Sequence, residues 1–419
     1  MSLLTLNAGS SSLKFALCPD DGDDAPALLS GMIEGLGTRA RLLVTHTNGT
    51  QRVDEPLAPA GDTDSHEARG RAPSAGARSM VNDTDEALAL VLARLPEWTA
   101  GEAIRAIGHR VVHGGIRYTA PALIDDRVLA DLNALTALAP LHQPFNLRAI
   151  AAAQRRFPGV PQVACFDTAF HRGHAFVHDA FALPRELHEA GVRRYGFHGL
   201  SYEFIAGQLR ALDPAAHQGR VVVAHLGSGA SLCALHEGRS LASSMGFSAL
   251  DGLPMGTRPG QLDAGVLLWL MTERQMDAAA LTDLLYRRSG LAGLSGMGGD
   301  MRTLQASTEP AAREAVDYFI ARLREQIGAM AAALGGIDAL VFTAGIGEHD
   351  PIIRARTIAG LGFLGLALDD EANAGHGRTH GGRISPPHAT ARVWVIPTSE
   401  EQVIARHLRA VLDRGDDGH

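Results

Sequence analysis

The sequence predicts an α/β protein built from two similar halves. Short apolar runs typical of buried strands alternate with stretches that carry apolar residues at helical spacing. In each half an apolar strand leads through a turn of small residues into a second strand: SLLTLNAGSSSLKFAL at residues 2–17 and VVVAHLGSGASLCAL at residues 221–235. Two such hairpins suggest an internal duplication, in which both halves present a phosphate loop to one cleft.

The first hairpin has only small residues at its tip. Such a tip lets backbone N–H groups approach a phosphate closely, and its serine hydroxyls add donors. Asn7 offers an oxygen to a hydrated metal ion, and Lys14 offers a positive charge. An ordinary polar hairpin is the competing interpretation, because short Gly/Ser motifs arise easily by chance. The second copy of the pattern favours phosphate binding.

Caps and helix breakers define the other elements of the first half. Asp83 followed by Glu86 resembles a capping box and predicts a helix that runs through Leu95. The helix predicted at 125–137 ends at the run APLHQP, residues 139–144. The remaining predictions are strands at 28–36, 106–112 and 160–166, a surface loop at 56–76 and a helix at 146–156.

Glycine and proline mark the elements of the second half. The segments 244–260 and 289–300 are so rich in glycine that we predict loops there. Pro310 and the pair Gly335-Gly336 bound a long amphipathic helix. The remaining predictions are a strand and glycine turn at 339–348, a strand at 394–396, helices at 203–212, 263–285 and 399–412, and a frayed tail at 413–419.

The composition limits the class of protein. A chain of 419 residues suggests two domains at ~100–200 residues each. The net charge of -8 argues against a nucleic-acid or anionic-membrane partner. The three cysteines show neither metal spacing nor a disulfide framework. No apolar run approaches the ~20 residues of a membrane span, and the first residues form a strand rather than a leader. We therefore expect a cytoplasmic protein.

Charged residues next to glycines mark a candidate site. Arg110 lies in GHRVVHGG, Asp167 follows a predicted strand, His198 lies in GFHG and Arg258 ends MGTR. Each has an ordinary alternative: a surface salt bridge for the arginine at 110, a turn for the aspartate and a structural role for the histidine. Together, two arginines, a histidine and an aspartate at strand ends or glycine turns indicate a site for two anions. The sequence has no nucleophile elbow and no Cys/His metal cluster that would compete.

Ten short motifs in order resemble the acetate kinase family: NAGSSSLK, GHRVVHGG, APLHQP, FDTAFH, RRYGFHG, HLGSGAS, MGTR, SGLAGLSG, AGIGE and IPTSEE. The resemblance runs from about residue 3 to residue 406. The resemblance implies the duplicated actin-like ATPase (ribonuclease H-like) fold of the actin, Hsp70 and sugar-kinase superfamily, with two domains around a nucleotide cleft. The expected domains are residues 1–168 plus 399–419, and residues 169–398.

The resemblance also implies roles for individual residues. The catalytic set would be Asp167, His198, Arg258 and Arg110, the last of which also binds the substrate carboxylate. Mg²⁺, with Mn²⁺ as a substitute, would be held by Asn7 and Glu400. The phosphate loops would contribute Ser10, Ser12, Lys14, His225, Leu226, Gly227, Ser228 and Gly229. The adenosine would be bordered by Asp300, Met301, Arg302, Gly345, Ile346, Gly347, Glu348 and His349. The alkyl tail of the acid would be lined by Val112, Leu141, Phe197 and Ala249.

Several positions depart from the family pattern. Ser228 stands where Asn is usual in the second phosphate loop and keeps a polar side chain of shorter reach. His349 replaces the usual Asn after GIGE, at a position expected to contact the nucleoside. Ala249 stands where Pro is common. The other departures are Leu200 and Tyr202 for Thr and His, and changes at Gln143 and Phe145. None removes a residue with a proposed charge.

The function implied is reversible phosphoryl transfer from ATP to acetate, by direct in-line attack and without a covalent intermediate. Acetate is already ionised at pH 7, since its pKa is close to the ~4 of a side-chain carboxyl. Asp167 is therefore better suited to ordering the metal and the arginines than to removing a proton. The alternatives are a propionate or butyrate kinase and a non-enzymatic nucleotide switch like Hsp70 or actin. The paired arginines argue against the switch. The family resemblance also suggests a homodimer.

Overall fold

The structure is a computed structural model that describes residues 1–9, 12–20, 22, 25–37, 39–47, 52–57, 81, 83–99 and 101–416, with side chains to residue 414. The chain divides into two units, Met1–Ala169 with Ser399–His419, and Phe170–Thr398. These divisions lie one residue after the predicted boundary at 168 and at the predicted boundary after 398. Most of the predicted loop at 56–76 falls outside the described residues.

The first unit is built on an eight-stranded sheet of order β5-β4-β3-β2-β1-β6-β8-β7. Its strands are β1 Ser2–Ala8, β2 Ser12–Pro19, β3 Leu29–Glu34, β4 Arg41–His46, β5 Arg52–Pro56, β6 Ile104–Val111, β7 Ala122–Leu123 and β8 Gln162–Phe166. Strand β1 is buried along its whole length. It pairs antiparallel with β2 and parallel with β6, and β6 pairs parallel with β8.

Helices cover this sheet: α1 Thr84–Trp98, α2 Asp126–Ala134, α3 Gln143–Arg156 and, from the end of the chain, α16 Glu400–Asp416. The predicted cap of α1 is confirmed, because Asp83 accepts hydrogen bonds from the backbone N–H groups of Asp85 and Glu86 at 2.9 Å. Leucines on the inner face of α1 join the core formed with β1–β4. The tail expected to fray at residue 413 continues as helix to Asp416.

The second unit repeats the central topology of the first. Its sheet has the order β11-β10-β9-β12-β13. The strands are β9 Arg220–Leu226, β10 Ala230–His236, β11 Arg239–Ser243, β12 Ala339–Thr343 and β13 Arg392–Val395. Two antiparallel pairings, β11–β10 and β10–β9, are followed by two parallel ones, β9–β12 and β12–β13. The strands β3-β2-β1-β6-β8 have the same succession of pairings, which confirms the predicted duplication.

The helices of the second unit include the predicted long helix, α12, which begins with Pro310 and ends at Gly335 with φ +71°. In order they are α4 Phe176–Asp179, α5 Arg185–Glu189, α6 Gly199–Leu212, α7 Pro214–His217, α8 Ala264–Glu273, α9 Ala278–Arg287, α10 Gly290–Ser295, α11 Met301–Ala306, α12 Pro310–Leu334, α13 Ala344–His349, α14 Pro351–Ile358 and α15 Asp370–Ala374. Within the described part of the chain, none of the helices has both the length and the apolar composition needed to cross a membrane.

Three predictions for this unit were wrong. The helix expected at 263–285 is two helices, because Gln275 adopts φ +52° and Asp277 caps α9 by accepting from the N–H of Ala280. The glycine-rich loop at 289–300 contains the short helix α10, which begins at Gly290 with φ +62°. The glycine turn expected after β12 is the start of helix α13.

Candidate active site

Four polar side chains cluster at one end of the first unit's parallel strands. Asn7 lies near the end of β1, Arg110 near the end of β6, and Asp167 directly after β8. Glu400 is the first residue of α16, the helix that packs on β1 and β6. Carboxyl ends of parallel strands meet at one edge of a sheet, which is where α/β proteins place their sites. The structure thus brings together four of the predicted site residues.

Arg110 is held by a bidentate ion pair. Its Nε lies 3.0 Å from Oδ1 of Asp167, and its Nη2 lies 2.5 Å from Oδ2. The Asp167 side chain has no exposed surface. Burial alone would lower the pKa of Arg110, but the carboxylates of Asp167 and Glu400 raise it above its ordinary value. The guanidinium therefore stays charged, and its orientation is fixed by the buried carboxylate.

Asn7 links this arginine to the last helix. Its Oδ1 accepts a hydrogen bond from Nη1 of Arg110 at 3.1 Å, and its Nδ2 donates to Oε2 of Glu400 at 2.8 Å. The same carboxylate oxygen lies 3.8 Å from Nε of Arg110. Residues separated by 393 positions along the chain are thus in direct contact. Burial also raises the pKa of the neighbouring Glu401.

The oxygen atoms of this cluster suit a hard divalent cation. Among the residues that the structure describes, no three His, Cys, Asp or Glu side chains form a group that could hold a metal ion. These side chains alone therefore do not form a complete metal site in the described part of the chain. Mg²⁺ typically takes one or two protein carboxylates and completes its shell with water and phosphate oxygens. Asn7 and Glu400 supply an amide oxygen and a carboxylate of this chemistry, and in this structure these oxygens accept hydrogen bonds from Arg110 and Asn7.

Two hydrogen bonds of Gly9 hold the turn between β1 and β2, which is the predicted first phosphate loop. The backbone N–H of Gly9 donates to the carbonyl of Ser12 at 2.9 Å, and Oγ1 of Thr84 donates to the carbonyl of Gly9 at 2.7 Å. Lys14 is exposed and lies opposite Asn7 in the β1–β2 register. Ser10 falls outside the described residues.

Asn146, which sequence reasoning used only to begin a helix, ties two strand ends together. Its Oδ1 accepts from the N–H of Val112 at 3.0 Å, and its Nδ2 donates to the carbonyl of Ala8 at 3.0 Å. Gln143, one turn earlier on α3, donates to the carbonyl of His113 at 3.2 Å. Both side chains are buried. Buried amides need hydrogen-bond partners, and these two find theirs on the main chain at the strand ends.

In the second unit, His198 is set in a dense polar network. Its backbone has φ +56°, and it directly precedes α6. Its Nδ1 lies 2.8 Å from Oγ of Ser231, and its ring stacks on that of His225 at a centroid distance of 4.1 Å. Oγ of Ser201 lies 2.9 Å from Nδ1 of His225. The hydrogen bond with Ser231 and the stacking on His225 therefore restrict the orientation of the His198 ring.

The turn between β9 and β10, which is the predicted second phosphate loop, requires glycine for a specific reason. The N–H of Gly227 donates to the carbonyl of Gly229 at 3.0 Å, which closes the turn. A Cβ at Gly229 would come within 3.0 Å of Nη2 of Arg258 and 3.1 Å of Nε2 of His198. The two side chains thus border the space above one glycine. Ser228 is exposed at the tip between buried Leu226 and this glycine.

Arg258 has an environment opposite to that of Arg110. Its Nη1 donates to the carbonyl of Ala249 at 2.8 Å. Within the described part of the chain it forms no ion pair with a carboxylate. Burial lowers its pKa to about 10, and Tyr286 offsets this only in part. A largely buried guanidinium without a counter-charge is suited to receive an anion.

The residues expected near the adenosine lie on two short helices. Asp300 caps α11 by accepting from the N–H of Thr303 at 2.9 Å and pairs with Arg302 at 3.2 Å, while Met301 is buried. The other group forms α13 and consists of Gly345, Ile346, Gly347, Glu348 and His349. Oε1 of Glu348 accepts from the N–H groups of Ala344 at 2.8 Å and Thr398 at 3.1 Å. Its side chain thus fixes the start of α13.

A fully buried arginine, which sequence reasoning missed, fixes the other end of α13. Arg354 donates from Nη1 to the carbonyls of Gly347 at 2.8 Å and Glu348 at 3.0 Å. Its Nε donates to Oδ1 of Asn373 at 2.8 Å. The nearby His349 is exposed and its ring lies edge-on to His376. Arg354 lies soon after the AGIGE motif in the sequence. The motif itself does not indicate which side chain binds the carbonyls of Gly347 and Glu348.

The four residues expected to line the alkyl pocket are divided between the units. Val112 is buried and Leu141 half-buried in the first unit. Phe197 is buried in the second unit, where its carbonyl accepts from Nε2 of His171 at 3.0 Å. Ala249 is half-buried and contacts Arg258 through its carbonyl. Each unit therefore supplies two of the four predicted residues.

Comparison with known proteins gives consistent matches. A model of the acetokinase family matches residues 2–406. The acetate kinase of Methylocella silvestris is 47% identical over 418 residues, which cover 98% of each chain. The crystal structure of Porphyromonas gingivalis acetate kinase gives a TM-score of 0.79 at 32% identity and covers 98% of this chain and 99% of that chain. A propionate kinase from Francisella tularensis gives a TM-score of 0.82 at 32% identity, covering 97% and 98%. The chain belongs to the acetokinase family.

Proposed function

We propose that this chain is an acetate kinase, which transfers the γ-phosphoryl group of ATP to acetate and forms acetyl phosphate and ADP reversibly. The observation that carries the proposal is the contrast between the two arginines. Arg110 is charged and ordered by Asp167, and we assign it to the substrate carboxylate. Arg258 lies beside His198 without a carboxylate partner among the described residues and suits the charge of a phosphoryl group.

Asp167 acts on Arg110 rather than on a proton. Its oxygens accept three hydrogen bonds from the guanidinium. The substrate needs no base, because a carboxylic acid of pKa ~4 is ionised at neutral pH. Catalysis then comes from positioning the acetate oxygen in line with the γ-phosphorus, from neutralising charge with Arg110 and Arg258, and from a hydrogen bond that His198 donates to the phosphoryl group. Asp167 is a positioning residue in this mechanism.

The nucleotide is proposed to lie along the phosphate loops and α13. The phosphates would contact the backbone of the first hairpin, with Ser10, Ser12 and Lys14, and the second hairpin from His225 to Gly229. Asp300, Met301, Arg302 and residues 345–349 would border the adenosine. The closed turn at Gly227 and the double anchoring of α13 by Glu348 and Arg354 support this placement, because both hold the backbone of these segments in one conformation.

Mg²⁺ is the proposed metal, with Mn²⁺ as a substitute, held by Asn7 and Glu400. When bound, it neutralises the charge of the nucleotide phosphates. The support is the donor chemistry of an amide oxygen and a carboxylate, on two residues that the structure brings into direct contact.

Propionate is the second candidate substrate. Ala249 stands where family members commonly have Pro, and a smaller side chain there leaves room for one more methylene. Val112, Leu141 and Phe197 keep the apolar character of the pocket and would exclude longer acids. An ATP-dependent hydroxamate assay across acetate, propionate and butyrate tests the proposal. We expect turnover with acetate and propionate and little with butyrate. ATP hydrolysis that does not depend on any of the acids would instead support a nucleotide switch.

A homodimer is the proposed assembly, and α8 with α9 is the proposed contact surface. Neither helix has a buried residue, although α8 is strongly apolar. Leu268 is 65% exposed, and Trp269 and Met271 are about half exposed. Several large apolar side chains exposed on one short helix indicate an interaction site, and the family resemblance indicates a second copy of the chain. The three buried cysteines form no disulfide, which fits the proposed cytoplasmic location.

Light scattering of purified variants tests the dimer. Leu268→Asp combined with Trp269→Asp should give the mass of a monomer, because two carboxylates would be buried at the contact. Phe363, which is 79% exposed and lies outside both helices, offers the control Phe363→Asp, which should stay dimeric. A double variant with unchanged mass would exclude this surface.

A further inference from the structure

Two buried hydroxyl groups, those of Ser231 and Tyr202, extend from the His198 ring as a chain of hydrogen bonds. Oγ of Ser231 lies 2.8 Å from Nδ1 of His198 and 2.5 Å from the hydroxyl of Tyr202. Both Tyr202 and Ser231 are fully buried. All three residues belong to the second unit, on or next to α6 and β10.

The direction of these hydrogen bonds follows from counting protons. Burial raises the pKa of Tyr202 well above its ordinary value, so the phenol keeps its proton. Among the described residues its hydrogen-bond partner is Oγ of Ser231, and a buried O–H without an acceptor is strongly disfavoured. The phenol therefore donates to the serine. The serine has a single proton, which must then point to Nδ1 of His198.

We propose that Tyr202, acting through Ser231, holds His198 in the tautomer that carries its proton on Nε2. This is the nitrogen that borders Gly229 beside Nη2 of Arg258. A neutral imidazole in this tautomer donates a hydrogen bond toward the transferring phosphoryl group and needs no positive charge to do so. The role of His198 in transfer rests on the proposed function, whereas its tautomer does not. Tyr202 is a positioning residue in this scheme.

Two further features make the arrangement specific. The His225 ring lies nearly parallel to that of His198, at an interplanar angle of 15°, and restrains its rotation. The acetate kinase family commonly has histidine at the position of Tyr202. A neutral imidazole can present either a proton or a lone pair to Ser231, but a protonated phenol without another acceptor can only donate. Tyrosine at position 202 thus fixes the direction of the hydrogen bond with Ser231, whereas histidine would allow either direction.

Nitrogen NMR of ¹⁵N-histidine-labelled protein without substrate tests the tautomer directly. The chain has 19 histidines, so the His198 signals are identified by their loss in His198→Asn. We expect Nε2 to show the shift of a protonated ring nitrogen and Nδ1 that of an unprotonated acceptor. The Tyr202→Phe variant should show a mixture of tautomers. A proton on Nδ1 in the wild type, or an unchanged spectrum in Tyr202→Phe, would overturn the proposal.

Kinetics of the same variants connect the tautomer to turnover. Tyr202→Phe should lower kcat roughly five- to tenfold, the effect of one neutral hydrogen bond, with little change in KM for ATP. Tyr202→His should restore part of kcat by supplying a new donor. The matched control is Tyr195→Phe, which removes a buried 2.6 Å hydrogen bond to the carbonyl of Gly191 and should leave the His198 tautomer unchanged. A wild type without carboxylate kinase activity would overturn the proposed function but not the NMR result.

Discussion

Arg110 and Asp167 form a buried ion pair in which Nε of the arginine lies 3.0 Å from Oδ1 of the carboxylate. Arg258, by contrast, makes its side-chain hydrogen bond to a backbone carbonyl, that of Ala249. The charge of Arg110 is thus balanced by a carboxylate, whereas among the described residues the charge of Arg258 is not. This contrast predicts that the two arginines affect stability in different ways while both are needed for turnover.

Arg110→Met should destabilise the protein by about 3–5 kcal/mol, because it leaves Asp167 buried without its partner. Arg258→Met should cause no loss of stability, because it removes a charge that burial disfavours. Both should lower kcat by ~2–4 kcal/mol of barrier, the effect of one electrostatic donor. Denaturant unfolding and steady-state kinetics measure the two effects. Arg322→Met, at an exposed ion pair with Glu325, is the control and should change neither. An Arg110→Met variant as stable as the wild type would contradict the interpretation of the ion pair.

His109 should make the first unit sensitive to acid. Its Nε2 pairs with Oε1 of Gln162 at 2.8 Å, and burial lowers its pKa to about 4, with the glutamine opposing the shift. The unfolded chain takes up this proton near its ordinary pKa of about 6.5. Stability is therefore fully present above pH ~6.5 and falls toward pH ~4, by up to ~1.4 kcal/mol per pH unit. His109→Asn should show a shallower slope of unfolding free energy against pH, whereas the exposed His236→Asn should keep the wild-type slope. Equal slopes in all three proteins would refute this.

Arg354 should matter for nucleotide binding more than for chemistry. Arg354→Lys cannot reach the carbonyls of Gly347 and Glu348 and the side chain of Asn373 together, because a single ammonium replaces a planar fork. We expect KM for ATP to rise about tenfold, equivalent to ~1.4 kcal/mol, with KM for acetate unchanged. Arg324→Lys is the matched control, since Arg324 also donates to backbone carbonyls but at the end of α14. The same rise in KM for both variants would show a general loss of packing rather than a role of Arg354 in holding α13 for nucleotide binding.

Ala249 should influence the choice between acetate and propionate. Ala249→Pro keeps the carbonyl that Arg258 contacts but adds volume, so the ratio of kcat/KM for propionate over acetate should fall about fourfold, as ~0.8 kcal/mol per buried methylene implies. Ala249→Val adds similar volume without fixing φ and should lower the ratio as well. If only the proline variant changes the ratio, backbone conformation sets specificity rather than side-chain size. An unchanged ratio in both active variants would remove this position from the substrate pocket.

Local signals predicted most of the fold. The buried strands follow from apolar runs, the start of α1 from Asp83, and α12 from its proline and glycine ends. The duplication was visible because both hairpins carry small residues between two apolar strands. The break between α8 and α9 was not predictable, since a left-handed Gln275 interrupts a sequence that is otherwise helical in composition.

The site residues that carry charge toward the ligands were predictable from the sequence. The residues whose side chains hydrogen-bond to main-chain groups were not. Asn7 and Glu400 were paired only through the family resemblance, because nothing local connects the first strand with the last helix. Asn146 and Arg354 escaped prediction, since their partners are main-chain carbonyls and N–H groups whose positions depend on the folded chain. Tyr202 was noted as a departure from the family, but its contact with Ser231 is visible only in three dimensions.

The central claim, that a carboxylate oxygen attacks the γ-phosphorus of ATP, is tested most directly by isotope transfer. The purified protein is incubated with ATP, Mg²⁺ and acetate labelled with ¹⁸O in both oxygens. Hydroxylamine then cleaves the product at the acyl carbon and releases phosphate that keeps the bridging oxygen. Mass spectrometry of this phosphate should show one ¹⁸O atom for each acetyl hydroxamate formed. Phosphate without ¹⁸O, released at the same rate with or without acetate, would contradict the claim.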